Sequence, residues 1–205
     1  RVRSRLRGSS FADSPIVPTS VVTASGIEAL REALAGEFKS AVQSGDMGKP
    51  RLNVDRAFSL RGIGTVVTGT LTGGYLRSGQ HVRVQPRGGE ARVRNLQSFN
   101  KNVNRAAPGA RVAVNLPNIG LDASAADQSA YVRRGDVLVR PGSGQPSATF
   151  DVQLVVSSRT VDVAGAAEGG VKTGLSANLH FGTASTPARI HLHGKRQVAS
   201  GACGF

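Results

Sequence analysis

Tryptophan is missing from the sequence, and aromatic residues make up only 4 % of its 205 positions. A core must therefore be built from aliphatic side chains, and valine is plentiful enough to build one. The single cysteine, Cys203, excludes an internal disulfide framework and suits a reducing compartment. No apolar run is long enough to cross a bilayer, and the basic stretch from Arg1 to Phe11 has no apolar segment behind it of the kind a secretory signal needs. Acidic residues are scarce: 13 Asp and Glu stand against 26 Lys and Arg, a formal net charge of +13. That excess is more than solubility requires and favours a polyanionic partner such as RNA or DNA, the plainer alternative being an arginine-rich composition throughout.

The usual chemical motifs are also missing. Gly62-Ile-Gly-Thr-Val-Val-Thr-Gly69 starts as a dinucleotide fingerprint would, but Val67 stands where the third glycine belongs. No helix pattern follows, and no Lys follows Gly69 as a phosphate loop requires. Amid strands, such glycines mark a tight turn, a bulge or a close backbone approach. His191 and His193 share a face of an apparent strand and His180 precedes them, but no Cys or carboxylate joins them at close spacing. They read as structural or surface residues, with no metal site assigned. There is no G-x-S-x-G elbow, H-E-x-x-H or carboxylate pair, so no active site is legible in these residues.

What is present is a change of period. Val2 and Leu6 have helical spacing, Ser14–Pro18 reads as a short buried strand, and Thr19–Gly26 as a polar loop. Ser25 and Glu28 form a capping box ahead of a helix whose apolar face carries Ile27, Leu30, Leu34 and Phe38. After a linker, Gln43–Pro50, the period falls to two: Leu52, Val54, Phe58 and Leu60 alternate with polar residues, as do Val82 and Val84, then Val112, Val114 and Leu116. Glycine turns at Gly73-Gly74, Gly88-Gly89 and Pro108-Gly109 separate them, the pattern of a small antiparallel barrel or sandwich closing near Arg134–Gly142. Asp122–Tyr131 is polar and alanine-rich and reads as an exposed loop. A second linker, Pro141–Pro146, leads to strands near Thr149–Val156, Ala177–Phe181 and Ala188–His193, too few to close a second barrel.

One pair fits this pattern poorly. On a regular strand Arg56 would share the face of Val54 and Phe58, and burying an unpaired guanidinium costs several kcal/mol. Either a bulge re-aims it, or it reaches a pocket at the rim, or it belongs to a structural ion pair. Arg111 alternates away from Val112 and Val114, off the core.

The run V-D-R-A-F-S-L-R-G-I-G-T-V-V-T-G-T-L, followed by G-Q-H-V-R-V, A-R-V-R-N-L-Q-S-F, A-P-G-A-R-V-A-V-N-L and R-R-G-D-V-L, resembles the second domain of translational GTPases. Within them it looks most like the selenocysteine-specific elongation factors. The features that carry this are the Asp-Arg pair before Ala57-Phe58, the Lys49–Leu52 lead-in, Arg111 in G-x-R-V-A-x-N-L, and His180-Phe-Gly-Thr-Ala184. The resemblance implies a mainly β chain. Residues 1–46 would be the C-terminal remnant of an α/β GTPase domain, 47–142 an antiparallel β-barrel (domain 2), and 146–205 an incomplete β-barrel (domain 3).

The resemblance also implies a function: a fragment of a GTP-dependent factor that binds selenocysteyl-tRNA and delivers it to the ribosome, or else a related carrier of general aminoacyl-tRNA. Ser20 and Val21 would match the last guanine-contacting loop, with Ser-Val where the family has Ser-Ala. The P-loop, switch regions, D-x-x-G and N-K-x-D would lie upstream. GTP and Mg2+ would therefore belong to the complete protein, a GTPase, and none is expected on this fragment alone. Winged helices that read an mRNA hairpin in bacterial members would lie downstream, and the setting would be cytoplasmic, without a membrane. Asp55, Arg56 and Arg111 match the selenocysteyl pocket. A selenol is more acidic than a thiol, so guanidinium groups would favour selenocysteine over neutral serine. Arg92 and Arg94 read as a solvated strand face. A free-standing barrel binding single-stranded nucleic acid would need surface aromatics, whereas several phenylalanines here fall at core-like positions.

Overall fold

The computed structural model describes residues 1–7, 9–41, 45–121, 131–156, 170–194, 196–199 and 203–204. It divides into two compact units, Arg1–Gln43 and Ser44–Phe205. The first holds two helices, α1 (Val2–Leu6) and α2 (Ile27–Ser40), at the positions their apolar spacing predicts. The strand expected at Ser14–Pro18 does not form: Pro15 and Pro18 have no amide hydrogen for a ladder, and Ile16 stays 39 % exposed. The capping box does not form either. Gly26 caps α2 in the left-handed conformation, φ 72°, where a side chain would run into the carbonyl oxygen of Pro18. Ser25 instead bridges back to Ser20, whose N–H donates to the Ser25 carbonyl at 3.0 Å. No residue of α2 is buried, and Leu34 and Phe38 of its apolar stripe are exposed.

The described elements of the second unit are all strands. They run β1 (Arg51–Leu60), β2 (Gly64–Thr72), β3 (Leu76–Arg77), β4 (His81–Gln85), β5 (Gly89–Arg92) and β6 (Asn95–Ser98). Then come β7 (Lys101–Val103), β8 (Arg105–Ala106), β9 (Arg111–Leu116) and β10 (Val137–Val139). A mainly β architecture is thus what the chain adopts. Eight of these strands form one curled antiparallel sheet in the order β5-β4-β10-β1-β2-β9-β6-β7. The short pair β3–β8 joins its two sides: Gly79 N donates to Val93 O at 2.7 Å, and Ser78 N to Asn104 O at 3.0 Å. Residues 45–50 are tied to the barrel through Gly73, whose carbonyl accepts from Met47 N and Lys49 N. The stretch 122–130 lies outside the described residues.

The barrel interior is aliphatic, as the shortage of aromatics requires. Leu52 stands opposite both Leu71 and Leu138 in the ladder, and the core cluster contains only Leu, Val, Ile and Ala. At about 1.5–3 kcal/mol per buried Leu or Val side chain, this layer supplies the main drive for the fold. The phenylalanines expected in the core lie outside it, each described one at 37 % exposure or more. The Gly62–Gly64 stretch is the β1–β2 turn, with φ of 78° and 92° at its two glycines. Asn115, buried on β9, holds it by donating its amide to Ile63 O and Thr65 O, both at 3.0 Å. Near the same end of the barrel Arg87 forks onto Asp136 at 3.0 and 3.1 Å, donates to the Tyr131 hydroxyl at 2.6 Å and lies over that ring.

Beyond the barrel come β11 (Leu154–Val155), β12 (Val171–Lys172), β13 (Ser176–Phe181), β14 (Ala184–Arg189), β15 (Gln197–Val198) and β16 (Cys203–Gly204). They form three separate antiparallel pairs, β11–β16, β12–β15 and β13–β14. The last expected strand is shifted. β14 ends at Arg189, after which Ile190 N turns to Leu175 O at 2.9 Å and leaves His191 and His193 past the strand end.

Two stability outcomes follow from this packing. Gly69 is buried, and a β-carbon there would collide with the Asn53 carbonyl oxygen and sit 3.2 Å from Leu52 Cγ. Gly69→Ala should therefore lower unfolding free energy by about 2 kcal/mol in urea titrations. Arg87→Ala strands a carboxylate whose side chain is 4 % exposed and should cost about 3 kcal/mol or more.

Candidate functional site

β1 and β2 pair along their whole length, but the register slips between Val54 and Arg56 and leaves Asp55 as the extra residue of a β-bulge. The slip inverts the alternation. Leu52 and Val54 point into the core, Ala57 packs against it, and Phe58 and Leu60 turn outward at 37 % and 43 % exposure. Arg56 reaches the surface as well, so no guanidinium is buried. The bulge is fixed from behind. Val54 N donates to Asp136 O, and Val54 O accepts from Gly135 N at 2.9 Å and from the Thr183 hydroxyl at 2.7 Å. Thr183 lies in the tight β13–β14 turn, inside the H-F-G-T-A motif.

The bulge aims the Asp55 carboxylate along the surface at two neighbouring strands. Oδ1 accepts from the Thr68 hydroxyl on β2 at 2.7 Å and from Arg111 Nη2 on β9 at 2.9 Å. Oδ2 accepts from Arg111 Nη1, so the pair is a two-pronged fork. The Arg111 side chain remains 55 % exposed, and that of Asp55 22 %. Asp55 titrates below the usual carboxylate range, chiefly through the Arg111 hydrogen bond. Partial burial opposes this, while the Thr68 bond and the charges of Arg111 and Arg56 add to it. The same bond to Asp55 raises Arg111 further above its ordinary value. Arg56 makes no hydrogen bond or ion pair among the described residues, which leaves one positive charge of the trio uncompensated. Beside it lies a shallow depression of about 420 Å³ walled by Arg56, Phe58, Leu121, Val132, Arg133 and Arg134.

The three residues singled out from the sequence are thus brought together, with Asp55 paired to Arg111 and not to its neighbour Arg56. Sequence reasoning passed over Thr68, Thr183 and the Arg133-Arg134 pair, although all four lie within the quoted motifs. Ser20 and Val21 occupy the 19–26 loop of the first unit, where the Ser20 hydroxyl accepts from Thr23 N at 3.3 Å and Val21 is 89 % exposed. Among the described residues no three His, Cys, Asp or Glu converge as metal ligands, and His193 Nε2 lies 3.8 Å from Asp151 Oδ1.

Comparison with known proteins bears on this barrel directly. Residues 64–139 match the model of elongation factor Tu domain 2. The chain belongs among the elongation factor Tu-like translation factors. It is 37 % identical over 157 residues to the selenocysteine-specific elongation factor of Desulfomicrobium baculatum, covering 77 % of this chain and 24 % of that protein. It is 33 % identical over 152 residues to elongation factor Tu 2 of Streptomyces avermitilis, covering 72 % of this chain and 35 % of that one. A crystal structure of a bacterial selenocysteine-specific elongation factor superposes with a TM-score of 0.67 at 27 % identity, over 98 % of this chain and 30 % of the other. The chain thus spans about a quarter of the length of its selenocysteine-specific relative. No helix among the described residues is long and apolar enough to cross a membrane.

The Asp55–Arg111 ion pair gives a pH signature. A carboxyl with a lowered folded-state pKa adds stability above the unfolded value, near 3.9, and that stability is lost as pH falls through the folded value. Asp55→Asn should therefore cost about 1 kcal/mol at neutral pH, a size set by the exposure of Arg111. In acid titrations followed by denaturant unfolding, the difference from the wild type should close below about pH 4.

Proposed function

We propose that the chain is the part of a selenocysteine-specific elongation factor whose domain 2 receives the aminoacyl end of selenocysteyl-tRNA, with Asp55, Arg56 and Arg111 forming the pocket. The observation that carries this reading is the uncompensated Arg56 beside the Asp55–Arg111 fork on an exposed face of the barrel. Each group has a distinct task. Asp55 spends its charge on Arg111 and Thr68, and so holds the guanidinium plane fixed. Arg111 offers its outer edge to the ligand, and Arg56 supplies the net positive charge. A selenolate gains from that field, whereas the neutral hydroxyl of serine, close to it in shape, gains little, so charge discriminates where size cannot.

The rest of the reading concerns the whole protein: GTP-dependent delivery to the ribosome in the cytoplasm, with recognition of an mRNA hairpin by other parts. Ser20 and Val21 would hold the guanine edge of GTP. In support, the Val21 N–H makes no hydrogen bond among the described residues, so a backbone donor is open there whatever the side chain. GTP with Mg2+ would supply the energy of delivery. The groups that hydrolyse it are not found in these residues.

The test is differential binding by the full-length protein. Arg111→Ala and Arg56→Ala should each weaken selenocysteyl-tRNA binding about tenfold or more and seryl-tRNA binding less than about twofold, the scale of one charge-assisted hydrogen bond. Equal losses for both tRNAs would sink the pocket and favour a general aminoacyl-tRNA carrier.

A further inference from the structure

The turn of the β13–β14 hairpin lies directly behind the bulge. Phe181 pairs with Ala184, so Gly182 and Thr183 are the two residues of the turn, with Gly182 at φ 54°. The approach to the barrel is close. A β-carbon on Gly182 would sit 3.0 Å from Asn53 Oδ1, and one on Gly135, at φ 96°, would sit 3.3 Å from Ala184 Cα. Between these contacts the Thr183 hydroxyl donates to Val54 O at 2.7 Å. β13 and β14 form a sheet of their own, so the turn meets the barrel through such contacts and not through a ladder.

The atom that Thr183 engages gives the contact its reach. The Val54 carbonyl and the Asp55 N–H share one planar peptide group, so fixing the carbonyl fixes the direction in which Asp55 leaves the strand. In a regular ladder the facing strand would do this. Here Val54 pairs with Gly69 and Arg56 with Thr68, and Asp55 has no partner on β2. A carbonyl oxygen has two lone pairs, and Gly135 N, at 2.9 Å, and the Thr183 hydroxyl take one each. Two donors pin a plane that one donor leaves free to rock. Thr183 has no hydrogen bond with Asp55 or Arg111 among the described residues, so any effect on them passes through this backbone. We propose that Thr183 is a positioning residue, whose hydroxyl sets the Val54–Asp55 peptide plane and thereby the carboxylate that holds Arg111. The consequence for tRNA rests on the aminoacyl-pocket reading; the effect on the fork does not.

Thr183→Val keeps the shape and removes the donor, whereas Thr183→Ser keeps the donor. In the full-length protein, phenylglyoxal labelling of Arg111 is followed by peptide mass spectrometry, since a carboxylate fork occludes the guanidinium nitrogens and keeps them protonated. Thr183→Val should speed this labelling about threefold to tenfold, the range of one neutral hydrogen bond, and Thr183→Ser should label at the wild-type rate. Added to Asp55→Asn, Thr183→Val should give no further gain, because the two act in series. A wild-type rate in Thr183→Val, a gain that Ser does not prevent, or a full second gain on top of Asp55→Asn would overturn the assignment. Thr183→Val should also weaken selenocysteyl-tRNA binding about threefold or more, and seryl-tRNA binding less than about twofold. Faster labelling with equal losses for both tRNAs would uphold the positioning role and overturn the pocket, so the two failures are told apart.

Discussion

The bulge at Asp55 is the constraint on which the functional face of the barrel depends. One extra residue in β1 exchanges the two faces of everything after it. Without the slip, Arg56 would enter the aliphatic interior beside Val54, at a cost of several kcal/mol. With it, Ala57 takes the inner position, Phe58 and Leu60 turn out, and Asp55 is aimed across the sheet at Thr68 and Arg111. Gly69 makes room for it on the facing strand, where any β-carbon would meet the Asn53 carbonyl.

Much of this fold was legible because its signals are local. Alternation of valine and leucine with polar residues, and glycines at positive φ in the turns, set the barrel strands where they are found. A mismatch was legible too, since an Arg on a core face calls for a bulge, a rim or a partner. What could not be read is whatever depends on distant pairing. A period-two count carried past Asp55 assigns Phe58 and Leu60 to the core, because nothing local marks the slip. The partner of Asp55 is 56 residues away on β9 and not next door. Proline at positions 15 and 18 outweighed the apolar pair Ile16-Val17, and Gly26 displaced Ser25 as a cap through a backbone approach from Pro18 that spacing does not encode.

The barrel sorts its charges into two kinds. Arg87 and Arg111 are locked to carboxylates and serve as rivets between strands, whereas Arg56, Arg77, Arg105 and Arg140 are left without counter-ions among the described residues. An aliphatic core makes room for this economy of acids, because close-packed valines and leucines need no buried polar network to specify the interior. These four arginines contribute to the net charge of +13 that the whole sequence carries.

The hydroxyl of Thr183 reaches the Val54 carbonyl across 129 residues of chain. That separation gives the site a place in time as well as in space. As the chain emerges during synthesis, β1 and β2 can pair early, a short-range event. Gly135 and Asp136 can brace the bulge next, and the Thr183 hydroxyl joins them only when the β13–β14 hairpin closes a very long loop. A nascent chain therefore carries the charge fork without its last backbone brace until that distant hairpin docks.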